Sequence, residues 1–148
     1  MASIRNEIDS VFTFVDDVFP GATVRYQTIP TTLAANMVSL SYVGGDTVSE
    51  TGTTYRLDRD FQFTYFDSTD LKCLDKFDAL ARKLNNALVI PIKGSSRYLR
   101  ITSPFSHSQP FKTESGVYAI IGMLSVELRE AREQPTYEKI NNVDATIN

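Results

Sequence analysis

The alternation of side chains from Tyr55 to Phe66 constrains the fold more than any other feature of the sequence. Apart from Arg59, its odd positions are apolar (Tyr55, Leu57, Phe61, Phe63 and Tyr65), and its even positions up to residue 64 are polar. This period of two residues predicts a strand with one buried face and one wet face. About twelve residues of strand span roughly 40 Å, so we expect one end to project beyond the sheet or to bend at a bulge. We expect Arg59 to reach water near the start of the strand or to pair with a carboxylate.

Two segments have the spacing of helices with one apolar side. Between Ser3 and Val18 apolar residues recur at helical intervals, Ser3 can serve as the N-cap, and Pro20-Gly21 ends the helix. A second helix is expected after the start signal Asp67–Asp70, with its apolar stripe running to Leu88. Each helix can therefore pack one side against a sheet.

Four further segments have the pattern of strands: Ala22–Ile29, Met37–Val43, Arg97–Thr102 and Gly116–Arg129. The last is apolar on both faces in its first half, so we expect it to be central or covered by another subunit. The order αβββαββ predicts an α+β fold, with an antiparallel or mixed β-sheet and two helices packed on one face. The other face must then be polar or be covered by another chain. We expect residues 1–129 to form a single domain and residues 130–148 to form a polar tail.

Composition excludes several classes of function. The net charge of the 148 residues is −3 and no basic patch is visible, which disfavours a protein that grips nucleic acid. Cys73 is the one cysteine, so no intrachain disulfide and no cysteine-based zinc site can form, and we predict no metal or cofactor. No apolar run approaches the roughly 18 residues of a membrane span, and the N-terminus lacks the apolar core of a signal peptide.

Catalytic motifs are also missing, since the sequence has no glycine-rich phosphate loop and neither of the common hydrolase signatures, HExxH and GxSxG. We expect His107 to be a solvated loop residue and Cys73 to be an inert apolar side chain. Asp58 and Asp60 would lie about 7 Å apart on one strand face, a spacing that permits acid–base chemistry. Together with Arg56, however, they favour cross-strand charge pairing. The sequence thus predicts a binding or structural protein, with a small acidic enzyme or ligand-binding domain as the alternative.

Several of these segments together resemble the tail terminator proteins of tailed bacteriophages, also called tail completion, head-to-tail joining or minor capsid proteins. The resemblance covers residues 1–129, and in the family an acidic residue often precedes the glycine that starts the final strand, where this chain has Ser115 after Glu114. The segments that carry it are the N-terminal helix, Tyr55-Arg56-x-x-Arg59-Asp60-Phe61-x-Phe63-x-Tyr65-Phe66, the helix ending Leu80-x-x-Lys83-Leu84, the strand Arg97-Tyr98-Leu99-Arg100, and Gly116-Val117-Tyr118.

The resemblance implies a mechanical function in the neck of the virion. Six copies would form a ring that caps the tail tube, ends its polymerisation and meets the head connector or stopper protein, while DNA passes through the hole without sequence-specific contacts. The particle would assemble in the host cytoplasm, with no membrane, cofactor or enzymatic activity involved. A connector stopper or a tube subunit is the alternative within the same class.

Ring closure requires contacts between copies, and the chain offers candidates for them. The candidate contact residues are Phe105, Phe111, Val117, Ala119, Ile121, Met123, Tyr137 and Ile140. We expect Phe105 and Phe111, on the long Ser103–Ser115 segment, to pack on the core or into a partner. The flexible, hairpin-like stretch Gly44–Thr54 carries Asp46 and Glu50, which would either be solvated or line the hole of the ring.

Overall fold

The computed structural model of the chain describes residues 3–133. Within this part, two helices pack on a mixed sheet of nine strands, which confirms the predicted α+β class. In chain order the elements are α1 (Ile4–Val15), a 3-10 turn (Asp16–Val18), β1 (Thr23–Tyr26), β2 (Met37–Gly44), β3 (Thr47–Ser49), β4 (Thr54–Asp67), α2 (Asp70–Asn86), β5 (Val89–Pro91), β6 (Tyr98–Ile101), β7 (Ser106–His107), β8 (Phe111–Lys112) and β9 (Tyr118–Ala131).

The predicted order αβββαββ contains too few strands. The additional strands are β3, β5, β7 and β8, each two or three residues long. A segment that short cannot display a period of two residues, so the pattern that identified β4 could not identify them. β9 also continues to Ala131, two residues beyond the end expected for the domain at residue 129.

The sheet is organised around β4 and β9, which pair antiparallel along the whole length of both strands. The strand order is β1-β2-β4-β9-β6-β5, with β3 beside the first part of β4 and with β7 and β8 beside β9. β1 and β2 are parallel and the other pairs are antiparallel. β9 therefore has neighbours on both sides, and a central position is one of the two arrangements expected for it.

The first residues of β4 do not project beyond the sheet, which differs from one of the two outcomes expected for this long strand, because β3 flanks β4 here and β6 flanks β9. Here Thr54–Asp58 of β4 lies between β3 and the last residues of β9, Glu127–Ala131. β2 meets β4 at residues 60–66 and shows a register shift between Tyr42 and Gly44, so the irregularity lies in β2, while β4 pairs with β9 in one continuous register.

Both helices lie on the same side of the sheet because their apolar stripes share one core with it. Phe61, Phe63 and Tyr65 of β4 are fully buried there, as the alternation predicted, whereas Tyr55 at the start of the strand is partly buried. The core contains Val11 and Val15 of α1, Phe77, Leu80 and Leu84 of α2, Phe61, Phe63 and Tyr65 of β4, and Ile120, Leu124 and Val126 of β9. Ser3 and Thr69 cap the two helices through their hydroxyls, each 3.2 Å from a backbone N–H of the first turn.

Candidate subunit interface

The side of the sheet opposite the helices, which we call the open face, carries the even-numbered residues of β4 and the odd-numbered residues of β9. At one end of this face a second, small apolar cluster is formed by Met37, Phe66 and Ala119, with Leu33 and Val117 packed against it. Leu33 belongs to the segment between β1 and β2, so that segment covers this end of the open face. Ala119 is 1% exposed, which corrects its assignment as a contact residue.

The middle of the open face carries Ile121 and Met123 of β9, which are only partly buried. Their cross-strand neighbours on β4 are Thr64 and Gln62, respectively. Both helices of the described part lie on the other side of the sheet, so these two apolar side chains receive no cover from them. Phe111, on β8 opposite Ala119, is 45% exposed. Phe111, Val117, Ile121 and Met123 thus remain available in whole or part for contact with another chain.

Phe105 lies on the helix side of the sheet and is a core residue of its own chain. Its ring centroid is 6.0 Å from that of Phe63 and 5.6 Å from that of Phe77, both in edge-to-face orientation. The ring occupies the space above Gly122, where an added Cβ would lie 2.3 Å from the Phe105 ring. Of the two outcomes expected for this residue, packing on the core is the one observed, so Phe105 is not a contact residue for a partner.

A network of ion pairs occupies the other end of the open face. The carboxylate of Glu127 forms ion pairs with Arg56 and Arg129 at 3.5 Å and with Arg100 at 3.8 Å. Arg56 also binds Asp58 at 2.9 Å, a hydrogen bond that raises the pKa of the Arg56 guanidinium. Arg56–Glu127 and Arg100–Glu127 join β4 and β6 to β9, which agrees with the predicted cross-strand pairing, whereas Arg56–Asp58 and Arg129–Glu127 each lie within one strand.

Asp60 has a different partner from Asp58. It accepts a hydrogen bond of 2.7 Å from the hydroxyl of Ser125, its cross-strand neighbour on β9. Asp58 and Asp60 are therefore each engaged by a neighbouring side chain on the half-exposed face of the sheet. The alternative of an acid–base pair at these positions gains no support from this geometry.

The stretch Gly44–Thr54 is a hairpin held by the end of β9. The side chain of Arg129 binds Glu50 at 3.0 Å. Arg132 donates to the Thr51 carbonyl at 3.0 Å and to the Ser49 hydroxyl at 2.6 Å. These contacts correct the expectation of a flexible stretch with uncompensated negative charge, because Glu50 is paired. Asp46 is exposed, and its carbonyl accepts the backbone N–H of Asp58 at 2.7 Å.

Arg59, which interrupts the apolar face of β4, pairs with a carboxylate. This is one of the two outcomes expected for it, the other being contact with water. Its Nε lies 3.1 Å from Oε1 of Glu7 on α1, and its guanidinium lies over the ring of Tyr42. Glu7 is 1% exposed. Sequence reasoning did not identify Glu7 as the partner, because the two residues are 52 positions apart and Glu7 lies next to the apolar stripe of its helix.

Two other buried polar groups have altered acidities. Burial raises the pKa of the Cys73 thiol to about 11, and its Sγ donates to the Tyr118 carbonyl at 3.6 Å. Burial also raises the pKa of Tyr65, whose hydroxyl donates to Asp67 at 2.6 Å. A thiol that is protonated and enclosed at neutral pH is a poor nucleophile, in agreement with the role expected for Cys73.

Residues 3–133 contain no group of three or more His, Cys, Asp and Glu side chains placed to hold a metal ion. In the same part of the chain, neither helix is long and apolar enough to cross a membrane. The ring of His107 packs against Phe77 at 5.7 Å while the residue stays exposed at the surface. The contact candidates Tyr137 and Ile140 lie outside the described residues.

Comparison with known proteins gives matches at the level of structure alone. No family model matches the sequence, and no curated protein matches it. A solved structure that carries no functional description aligns with 92% of this chain and with 100% of its own length, at a TM-score of 0.55 and 15% identity. This likeness shows that the fold occurs in another protein.

A second solved structure comes from the virion of a native gene transfer agent particle. It aligns with 78% of this chain and 84% of its own length, at a TM-score of 0.44 and 14% identity. Structural neighbours of the chain thus include a virion component.

Proposed function

We propose that this protein is a structural subunit of the neck of a tailed bacteriophage, a tail terminator without enzymatic activity. Copies of the chain form a closed ring, of six subunits as in the family that the sequence resembles. The ring caps the tail tube, stops its growth and meets the head connector or stopper protein on its other side. The protein is then part of the virion and has no cofactor and no membrane partner.

The open face of the sheet is the observation that carries this proposal. A sheet with helices on one side alone leaves its second side to water or to another chain. Here that side carries Ile121, Met123 and Phe111 in partly or largely exposed positions. Contact with a neighbouring copy would bury these side chains at about 25 cal/mol per Å² of apolar area. Head-to-tail contacts of this kind generate a ring when the rotation closes.

The charges of the chain fit the passage of DNA through such a ring. Gripping phosphates requires free Lys and Arg side chains. Arg56 and Arg129, which lie on the open face, each have carboxylates within 3.5 Å, and the net charge of the whole chain is −3. We propose that Asp46, exposed at the base of the hairpin, faces the hole together with the paired Glu50. DNA would then slide past a surface that does not hold it.

Substitution of Met123 by Glu tests the contact surface. A buried charge without a partner would oppose association, so Met123→Glu should give monomers under conditions where the unaltered chain forms rings. Leu71→Glu is the matched control: it places the same charge at a Leu that is 67% exposed on the first turn of α2, where a carboxylate also suits the helix dipole. Native mass spectrometry and negative-stain electron microscopy of both variants provide the measurement.

Two results would contradict the proposal. One is a chain that stays monomeric both alone and in the presence of purified tail tubes. The other is ring formation by Met123→Glu that equals that of Leu71→Glu. Long tubes instead of isolated rings would favour the tube-subunit alternative.

A further inference from the structure

The side of β2 that faces β1 is paired for only part of its length. β1 follows β2 as far as Tyr26, which lies beside Leu40, and the backbone N–H of Gln27 then bonds to the Leu40 carbonyl at 3.0 Å. At Gln27 the chain turns away from β2, with a φ angle of 64°. Within residues 3–133, no further strand pairs with β2 on this side. We call its last four residues, Ser41–Gly44, the uncovered edge.

The side chain of Gln27 makes the bonds that a longer β1 would have made. Its Oε1 accepts the backbone N–H of Tyr42, and its Nε2 donates to the Tyr42 carbonyl at 3.3 Å. Alternate residues of a strand direct both backbone groups to the same neighbouring strand, and Tyr42 follows Leu40 in that series. The carboxamide of Gln27 therefore stands in for a strand partner at the first open position of β2.

Unpaired N–H and C=O groups at the edge of a sheet can template pairing with another chain, and bulges and charged side chains commonly prevent it. Both protections occur at the far end of the uncovered edge, as the register shift between Tyr42 and Gly44 and as the exposed Asp46. The uncovered edge itself contains no charged residue, and Val43 is 48% exposed. At its near end, the protection comes from Gln27.

We propose that the Gln27 side chain blocks strand addition at the uncovered edge, and that the strand it excludes is the same edge of a second copy of this chain. Two identical segments can pair antiparallel about a two-fold axis and satisfy each other's backbone groups. Such a contact ends at a dimer, whereas a ring needs head-to-tail contacts. The block applies to any two copies, so the proposal does not rest on ring formation.

Gln27→Gly tests the proposal in the full chain, because glycine adopts a φ of 64° readily and keeps the turn while the carboxamide is lost. All variants also carry Met123→Glu, which opposes association through the open face. At low protein concentration the Tyr42 amide should exchange hydrogen about tenfold faster, the ratio for one lost hydrogen bond of ordinary strength. At high concentration, analytical ultracentrifugation should show dimers. Gln109→Gly, at an exposed glutamine between β7 and β8, is the matched control and should change neither result.

A further substitution shows whether the dimers form through the uncovered edge. Adding Val43→Lys to Gln27→Gly places like charges on the paired edges and should restore monomers. Unchanged exchange at the Tyr42 amide would overturn the proposal, as would a Gln27→Gly chain that stays monomeric at every concentration. Dimers that persist with Val43→Lys would overturn it as well, by placing the contact elsewhere on the molecule.

Discussion

Gly122 shows at the scale of a single residue how the core is fitted together. The residue lies in the middle of β9, and the ring of Phe105 fills the position that its side chain would occupy. Phe105 in turn contacts the rings of Phe63 on β4 and Phe77 on α2. The absence of a Cβ at this one position therefore allows the segment after β6 to seal the core.

Substitution of Gly122 by Ala should lower the free energy of unfolding by about 1–3 kcal/mol, because the new methyl group overpacks the core. Gly52→Ala is the matched control, since a Cβ at Gly52 meets no atom within 4 Å and the backbone there is not left-handed. It should change stability by less than about 0.5 kcal/mol. Urea denaturation of the two variants measures the difference, and equal stabilities would contradict the role given to Phe105.

Cys73 should make the stability of the protein sensitive to alkaline pH. Burial raises the pKa of its thiol from 9.0 to about 11, so the unfolded chain ionises first as the pH rises. The stabilising contribution of the neutral thiol is fully present below pH 9.0 and is lost as the pH rises through about 11. Cys73→Ala should therefore show a smaller loss of stability across this range than the unaltered protein in urea titrations. An identical pH dependence in both would contradict this account.

At the scale of the element, the Glu7–Arg59 pair joins α1 to β4. Glu7→Leu should lower the free energy of unfolding by about 3 kcal/mol, because it leaves Arg59 partly buried without a partner. The double variant Glu7→Leu, Arg59→Met should regain most of that loss, since apolar pairs of similar volume replace buried ion pairs well. Chemical denaturation of both variants provides the measurement.

The pair of Arg82 with Asp78 supplies the control for that experiment. It joins two side chains of α2 that are 76% and 64% exposed. Asp78→Ala should thus change stability by less than about 1 kcal/mol. A loss from Glu7→Leu no larger than that from Asp78→Ala would show that the link between α1 and β4 contributes little.

The elements that could be predicted from the sequence are those long enough to display a period. The aromatic alternation of β4, the stripes of α1 and α2, and the doubly apolar start of β9 all identify real elements. β7 and β8 could not be found, because strands of two residues have no periodicity and exist only through hydrogen bonds to β9. The pairing of Glu50 with Arg129 was equally hidden, since 79 positions separate the two residues.

The candidate contact surface was predictable in part, because β9 is long enough for its alternation to show which residues share a face. Alternation along β9 placed Ile121 and Met123 on the face away from the helices, and the structure agrees. It could not show that a small cluster would bury Ala119, or that Phe105 would turn to the helix side above Gly122. Those outcomes depend on where the segments before β2 and after β6 cross the sheet, which local sequence does not encode.

At the scale of the whole molecule, the arrangement separates two tasks. The helix side of the sheet holds the aromatic core that stabilises the protomer, and the open face carries apolar and charged groups outside that core. A protein with this division can be stable alone and still expose a surface for assembly. The proposed ring uses the second side without disturbing the first.

The central position of β9 also has a consequence for biosynthesis. β9 joins β4 to β6, β7 and β8 and is the last strand of the described residues. The sheet is therefore incomplete until β9 has been synthesised. Contacts between residues far apart in sequence also slow folding. β4 therefore lacks its longest pairing partner until residues 118–131 have been synthesised. A chain that ends before β9 lacks the strand that joins β4 to β6, β7 and β8, and it cannot complete the sheet that carries the open face.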